Sequence, residues 1–218
     1  MSHESFAMHP SNHASNQLWK LSMGLDLPEG VAFQRIGGRG VIIVDPSVPY
    51  PDHLTDPRQE RPLSDILLSG ATDLNKNRVY PLPSNSASLA SILNEAAGAT
   101  DSFECAPDES RTVDILRTMF SSIIANLAEL KDREGLIPDG LSYGQFLVEK
   151  NSDPKAIGFK LLPPLTLQQP ETNNLHTSWM RAGRLLIKSM VDGCDNDSQR
   201  NLVSSLIQPI GKEFVNRG

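Results

Sequence analysis

A glycine-rich segment is the first stretch of this chain that could take part in chemistry. Ile36-Gly-Gly-Arg-Gly-Val41 lies between two apolar runs. Glycines in a turn let backbone amides approach phosphate oxygens, because no Cβ stands in the way. The segment lacks the Gly-Lys-Ser/Thr of a P-loop and opens no helix, so it is neither a P-loop nor a dinucleotide fingerprint. We therefore name Gly37, Gly38 and Gly40 as candidate backbone contacts in a nucleotide cleft, with a plain hairpin turn as the alternative.

A second candidate segment runs from Asp139 to Val148 and reads Asp-Gly-Leu-Ser-Tyr-Gly-Gln-Phe-Leu-Val. Phosphoryl transfer requires a carboxylate to orient the nucleophile, an amide and a carboxylate for magnesium, and a lysine on the phosphates. Asp139 is the only carboxylate between positions 135 and 148. An aspartate directly before a glycine is typical of a turn. The segment therefore predicts a tight loop that is poor in catalytic groups.

Metal and thiol chemistry receive little support from the sequence. His3, His9 and His13 lie in a polar N-terminal stretch, where solvated side chains are the usual outcome. The two cysteines, Cys105 and Cys194, do not have the Cys-x-x-Cys spacing of a zinc site. We expect no metal site and no cofactor.

The elements that would position these residues follow from hydrophobic periodicity. Alternating or β-branched runs predict strands, whereas apolar residues three and four positions apart predict amphipathic helices. Strands are expected at 18–23, 31–36, 40–44, 77–82, 145–149 and 157–162, and helices at 62–68, 86–97, 112–131, 176–191 and 197–215, the last interrupted at Pro209. This order predicts an α+β chain with a disordered tail at 1–15, a strand-rich region at 16–98, a linker at 99–110 and a helical region at 111–218.

The order of these elements resembles a reduced protein-kinase-like fold, most densely over residues 112–164. Where that family has His-Arg-Asp-Leu, this chain has Pro138-Asp-Gly-Leu141, which puts Gly140 at the catalytic aspartate. Gln145 takes the place of the metal-binding asparagine, and Pro163-Pro-Leu165 that of Asp-Phe-Gly. The run Val41–Val44 contains no lysine. The resemblance implies a two-lobed pseudokinase with a shortened large lobe.

The function that we expect from this resemblance is a non-catalytic, kinase-like binding or regulatory protein acting through protein contacts. One alternative is an active phosphotransferase with displaced catalytic residues, using Asp139 together with Asp153 or Glu149. Another is a structural subunit of a larger assembly with no nucleotide link. A shortened large lobe would leave the last two helices uncovered, so we expect an interface there. Its residues would be of types enriched at interfaces, namely Trp179, Met180, Leu186 and Met190.

Composition narrows the choice of partners. The formal net charge is -6, and no cluster of lysine and arginine is present, so we expect no nucleic acid partner. No apolar run approaches the roughly 18 residues of a membrane span, so we expect no membrane contact. Two lone cysteines and no signal-like N-terminus predict a cytoplasmic protein. A protein partner is expected, with a nucleotide as a further candidate ligand.

Overall fold

A computed structural model describes residues 27–51, 66–68, 70–83, 86–101, 107–149 and 158–218, with the side chains of 99–111 left aside. The predicted tail at 1–15, the predicted strand at 18–23 and most of the predicted helix at 62–68 lie outside these residues. So does Asp153.

The first half of the chain forms an antiparallel sheet of four strands in the order β1-β2-β4-β3. The strands are β1 (Val31–Ile36), β2 (Arg39–Val44), β3 (Thr72–Leu74) and β4 (Asn77–Pro81). Val31 and Phe33 on β1 are buried while Ala32 is exposed, which is the alternation of a strand with one covered face. The predicted strands at 31–36, 40–44 and 77–82 are confirmed, and β3 is an addition.

The second half is mainly helical, as predicted. Its helices are α1 (Leu89–Asp101), α2 (Pro107–Glu134), α3 (Leu175–Asp192) and α4 (Asp197–Asn216). Helix α2 begins inside the predicted linker, and α4 continues through Pro209 without the predicted interruption. The start of the predicted helix at 86–97 is instead a short strand, β5 (Ser86–Ser88).

Short strands lie between α2 and α3. These are β6 (Ile137–Asp139), β7 (Phe146–Glu149), β8 (Phe159–Leu161) and β9 (Thr166–Gln168). β7 pairs with both β5 and β8, which confirms the predicted hairpin, and β6 pairs with β9. The pairing of β6 with β9 brings the chain before the Asp139 loop next to the chain after Pro164. The order of elements is that of an α+β fold, with strands first and helices last.

One hydrophobic core runs through both halves. Leu67 forms a parallel bridge with Leu161 of β8. The Tyr50 hydroxyl donates to the Leu161 carbonyl at 2.8 Å and accepts from the Leu68 amide at 2.6 Å. These contacts fix the strand-rich half against the short strands that carry the candidate loop.

Candidate functional site

The loop between β6 and β7 starts at a glycine in the left-handed backbone region, which side chains with a Cβ rarely adopt. Gly140 has a φ of 73°, and the chain then turns through a 3₁₀ helix at Tyr143–Gln145 before entering β7. A left-handed residue lets the chain leave β6 abruptly. Gly140 therefore serves the turn, and it occupies the place where the kinase resemblance puts a catalytic carboxylate.

Gln145 ties this loop to the segment that follows β8. Its side-chain oxygen accepts from the Ser142 amide at 2.8 Å, and its side-chain nitrogen donates to the Pro164 carbonyl. Its backbone carbonyl accepts from the Leu162 amide at 2.7 Å. Both ends of the amide group are thus bonded within the protein, so Gln145 acts as a strut between two loops.

Tyr143 anchors the same loop to α3. Its backbone amide donates to the Ser189 hydroxyl oxygen at 3.0 Å, and the Ser189 hydroxyl donates to the Leu186 carbonyl at 2.7 Å. The Tyr143 ring lies so close to Gly193, just after α3, that a Cβ there would be 2.1 Å from the phenol oxygen. The loop is therefore held from two sides, by Pro164 and by α3.

A cavity of ≈ 270 Å³ opens beside this loop. Its lining residues within the described part of the chain are all uncharged, and they come from the loop, from α1 and from the segments at 27–28 and 162–164. They are Leu27, Pro28, Ala90, Asn94, Ser142, Tyr143, Gly144, Gln145, Leu162, Pro163 and Pro164. Amide and hydroxyl groups can recognise a ligand by hydrogen bonds and shape, but they supply no charge to balance a phosphate or a metal ion.

The two described carboxylates considered for phosphoryl transfer, Asp139 and Glu149, are not among the lining residues of that cavity. Asp139 is exposed at the end of β6, where it pairs in register with Thr166. Glu149 is half-buried at the end of β7, close to Gly158. The described residues contain no group of three or more histidine, cysteine, aspartate or glutamate side chains that could hold a metal ion.

The three candidate glycines lie on the hairpin of β1 and β2. Gly37 and Gly38 form the exposed turn with φ values of 57° and 82°, and Gly40 lies in β2 against the Phe33 ring. None of them lines the ≈ 270 Å³ cavity. A hairpin turn accounts for all three glycines, and their contact with a nucleotide stays a prediction.

The four predicted interface residues on α3 need a correction. Trp179, Leu186 and Met190 are buried within the chain, and Met180 is half-buried. The Trp179 indole donates to the Phe214 carbonyl at 2.8 Å, and the Lys131 ammonium lies 5.0 Å from the Trp179 ring centroid. Lys131 also donates to the Arg217 carbonyl at the end of α4. The apolar face of α3 packs on α4, so three of the four residues have no surface to offer a partner.

The loop contains the spacing Gly-x-Ser-x-Gly, as Gly140-Leu-Ser142-Tyr-Gly144, and the interpretation that the sequence has no such motif is wrong. In hydrolases this pattern marks a nucleophilic serine on a strained turn between a strand and a helix. Here Ser142 has extended backbone angles, φ -128° and ψ 145°, and the 3₁₀ turn leads into a strand. The pattern could have been found from spacing alone, but the local structure is not that of a nucleophile elbow.

Within the described residues, the side chains of Asp45 and Cys194 have shifted pKa values. Hydrogen bonds from the Ser47 hydroxyl and the Ser47 amide lower the pKa of the exposed Asp45 carboxyl. Partial burial raises the pKa of the Cys194 thiol, which lies just after α3. A raised pKa leaves less thiolate at neutral pH, so Cys194 is a poor nucleophile.

A larger groove of ≈ 690 Å³ lies between α2 and the end of α4. Its lining includes Arg117, Lys212 and Arg217, together with Glu213. Two of these cations are paired, Arg117 with Asp114 at 3.2 Å and Arg217 with Glu213 at 3.0 Å. The groove is therefore polar, and its charge is largely balanced.

Comparisons with known proteins give structural similarities but no match in sequence. No protein-family model matches the chain, and no curated protein matches it in sequence. A solved structure described as WaaP in complex with acyl carrier protein matches over 92% of this chain and 87% of that chain, with 10% identity and a TM-score of 0.48. Within the described residues, no helix is both long enough and apolar enough to cross a membrane.

The expectation that this chain is not an enzyme is contradicted. It depended on charged residues missing from motif positions, and their absence there is no evidence that catalysis has been lost. The structure adds a physical reason for the correction. An exposed carboxylate, Asp139, lies one residue before Gly140, so a glycine at the motif position does not remove carboxylate chemistry from this end of β6.

Proposed function

We propose that this chain is a kinase-like binding protein that acts through contacts with another protein. The strut formed by Gln145 is the observation that carries the proposal. The amide at the family's metal-binding position is bonded to Ser142 and Pro164, and the residues that the structure describes around the adjoining cavity are uncharged. Such a site favours recognition by shape and neutral hydrogen bonds. The proposal keeps the cytoplasmic location expected from the sequence.

A second candidate function is phosphoryl transfer by displaced carboxylates. Asp139 is exposed beside the loop, and Glu149 lies at the end of the neighbouring strand. Either could orient a nucleophile, provided that the bound nucleotide reached it.

One pair of measurements on the full chain separates the two functions. WaaP was solved with acyl carrier protein, so purified acyl carrier protein is the first partner to titrate by isothermal calorimetry. Under the binding proposal, the titration saturates with and without ATP and Mg²⁺, and Asp139→Asn leaves it unchanged. Failure to saturate would count against the proposal.

A parallel assay follows transfer of the γ-phosphate of ATP. Transfer that Asp139→Asn or Glu149→Gln abolishes would establish the second function, while Asp73→Asn on the exposed strand β3 serves as the matched control.

A further inference from the structure

The solvent-facing side of α3 carries a row of cations in an acidic chain. Arg181, Arg184 and Lys188 are exposed and follow one another at steps of three and four residues. Side chains at this spacing lie on one face of a helix, and the row spans about 10 Å at 1.5 Å per residue. The whole chain has a net charge of -6, yet α3 has these three basic residues and a single acidic one, Asp192.

Packing fixes the direction of this row. The opposite face of α3 is buried, and its residues are Trp179, Ala182, Gly183, Leu186 and Met190. A Cβ on Gly183 would lie 2.6 Å from the Phe214 ring, so α3 and α4 approach too closely for α3 to rotate. The cations therefore stay in solvent at fixed positions.

Two of the three cations have no carboxylate partner in the part of the chain that the structure describes. Lys188 pairs with Asp192 at 2.5 Å, whereas no ion pair involves Arg181 or Arg184. At the end of the row, Val191 is 47% exposed and adds an apolar contact. Arginine is enriched at interfaces because its planar guanidinium binds carboxylates in a bidentate manner.

We propose that this basic row, Arg181, Arg184 and Lys188 with Val191 at its end, is the docking surface for an acidic helix of a partner protein. The inference rests on the proposed function and names the surface and the chemistry of its partner. Carboxylates at the same three- and four-residue steps on an opposing helix could each form an ion pair with one of these cations, on successive helical turns.

The small number of cations in the row and the negative net charge of the chain argue against an anionic membrane or a nucleic acid as the partner. Anionic membranes are usually recognised by clusters of about four to eight lysine and arginine residues, and this row has three. Duplex nucleic acid would meet the field of a chain with net charge -6, and three phosphate contacts give little compensation. A protein helix needs only short-range pairing, which the row supplies.

The test uses the full chain and a defined probe. The probe is a fluorescent, alanine-based helical peptide with glutamates at steps of three and four on one face, and its binding is followed by anisotropy at low salt. Arg181→Glu combined with Arg184→Glu should weaken binding about tenfold or more, because like charges then face each other. Arg117→Glu combined with Lys212→Glu changes the net charge equally at another exposed place and should alter the affinity by less than about twofold.

Several outcomes would overturn the inference. These are no binding of the peptide, equal weakening by both double variants, or tighter binding to phosphatidylglycerol vesicles or to duplex DNA than to the peptide. A scrambled peptide with the same glutamates spread around the helix should bind at least about fivefold more weakly, because fewer carboxylates reach the row together. The peptide result does not depend on acyl carrier protein. The surface can therefore fail while the binding function stands, and the converse also holds.

Discussion

Gly183 shows how one residue sets the distance between two helices. The sequence places it on the apolar face of α3, and the structure shows why no larger residue fits, since the Phe214 ring of α4 fills the space where a Cβ would be. Gly98 in α1 has open space around the same position. Periodicity predicts which face of α3 is buried. It does not reveal which residue on that face touches the facing helix, because that depends on the packing partner.

Opposite effects on stability are therefore expected when these two glycines are replaced by alanine. Gly183→Ala should lower the free energy of unfolding by about 1–3 kcal/mol, because the added methyl overlaps a buried ring. Gly98→Ala should raise it by about 0.5–1 kcal/mol, because alanine is the better helix former. Urea denaturation measures both, and a Gly183→Ala protein as stable as the wild type would show that α3 and α4 are further apart.

Among the elements, α2 is the one that the sequence describes best. Its apolar stripe was predicted over 112–131, and the helix runs from Pro107 to Glu134 with the stripe buried. The strands β6 and β9 were missed because each has three residues, too few for an alternating pattern to show. Pro209 was expected to break α4. The helix continues there, and Ile210 and Phe214 beyond it are buried, so tertiary packing outweighs the lost backbone bond.

Phe120 tests the stripe of α2. It is buried, and Phe120→Ala should cost about 3–5 kcal/mol in the free energy of unfolding through lost contacts and the cavity left behind. Ile115 on the same helix is 44% exposed, and Ile115→Ala should cost less than about 0.5 kcal/mol. Equal costs for the two changes would mean that α2 is rotated from the orientation described.

At the scale of the whole molecule, the sequence predicts the fold class and the order of its elements but little of how the halves join. Tyr50 illustrates the gap. Nothing in the surrounding Pro49-Tyr-Pro51 indicates that its hydroxyl bridges Leu68 and Leu161, which lie 18 and 111 residues further along the chain. The same limit applies to the candidate site, because the contacts of Gln145 and Tyr143 depend on segments that are distant in the chain.

Removing one oxygen atom should therefore weaken the junction between the halves. Tyr50→Phe would leave the Leu68 amide and the Leu161 carbonyl without this partner in a buried place, at an expected cost of about 1–3 kcal/mol. Tyr143→Phe is the matched control, since Tyr143 is half-buried and its hydroxyl donates to the Gly193 carbonyl at the long distance of 3.5 Å. It should cost less than about 0.5 kcal/mol, and a larger loss than for Tyr50→Phe would contradict the bridging role.

The fluorescence of Trp179 reports on the packing of α3 against α4. The chain has two tryptophans, so Trp19→Phe leaves an indole that is fully buried, bonded to Phe214 and close to the Lys131 ammonium as the sole emitter. Its fluorescence should be blue-shifted in the native state and move to longer wavelengths as α3 separates from α4. Because the indole faces away from Arg181 and Arg184, a ligand seated on those cations should leave the emission spectrum unchanged. A change in the emission spectrum when the ligand is titrated would instead indicate that the helices rearrange. A single fluorescence titration therefore distinguishes rigid docking from a conformational change.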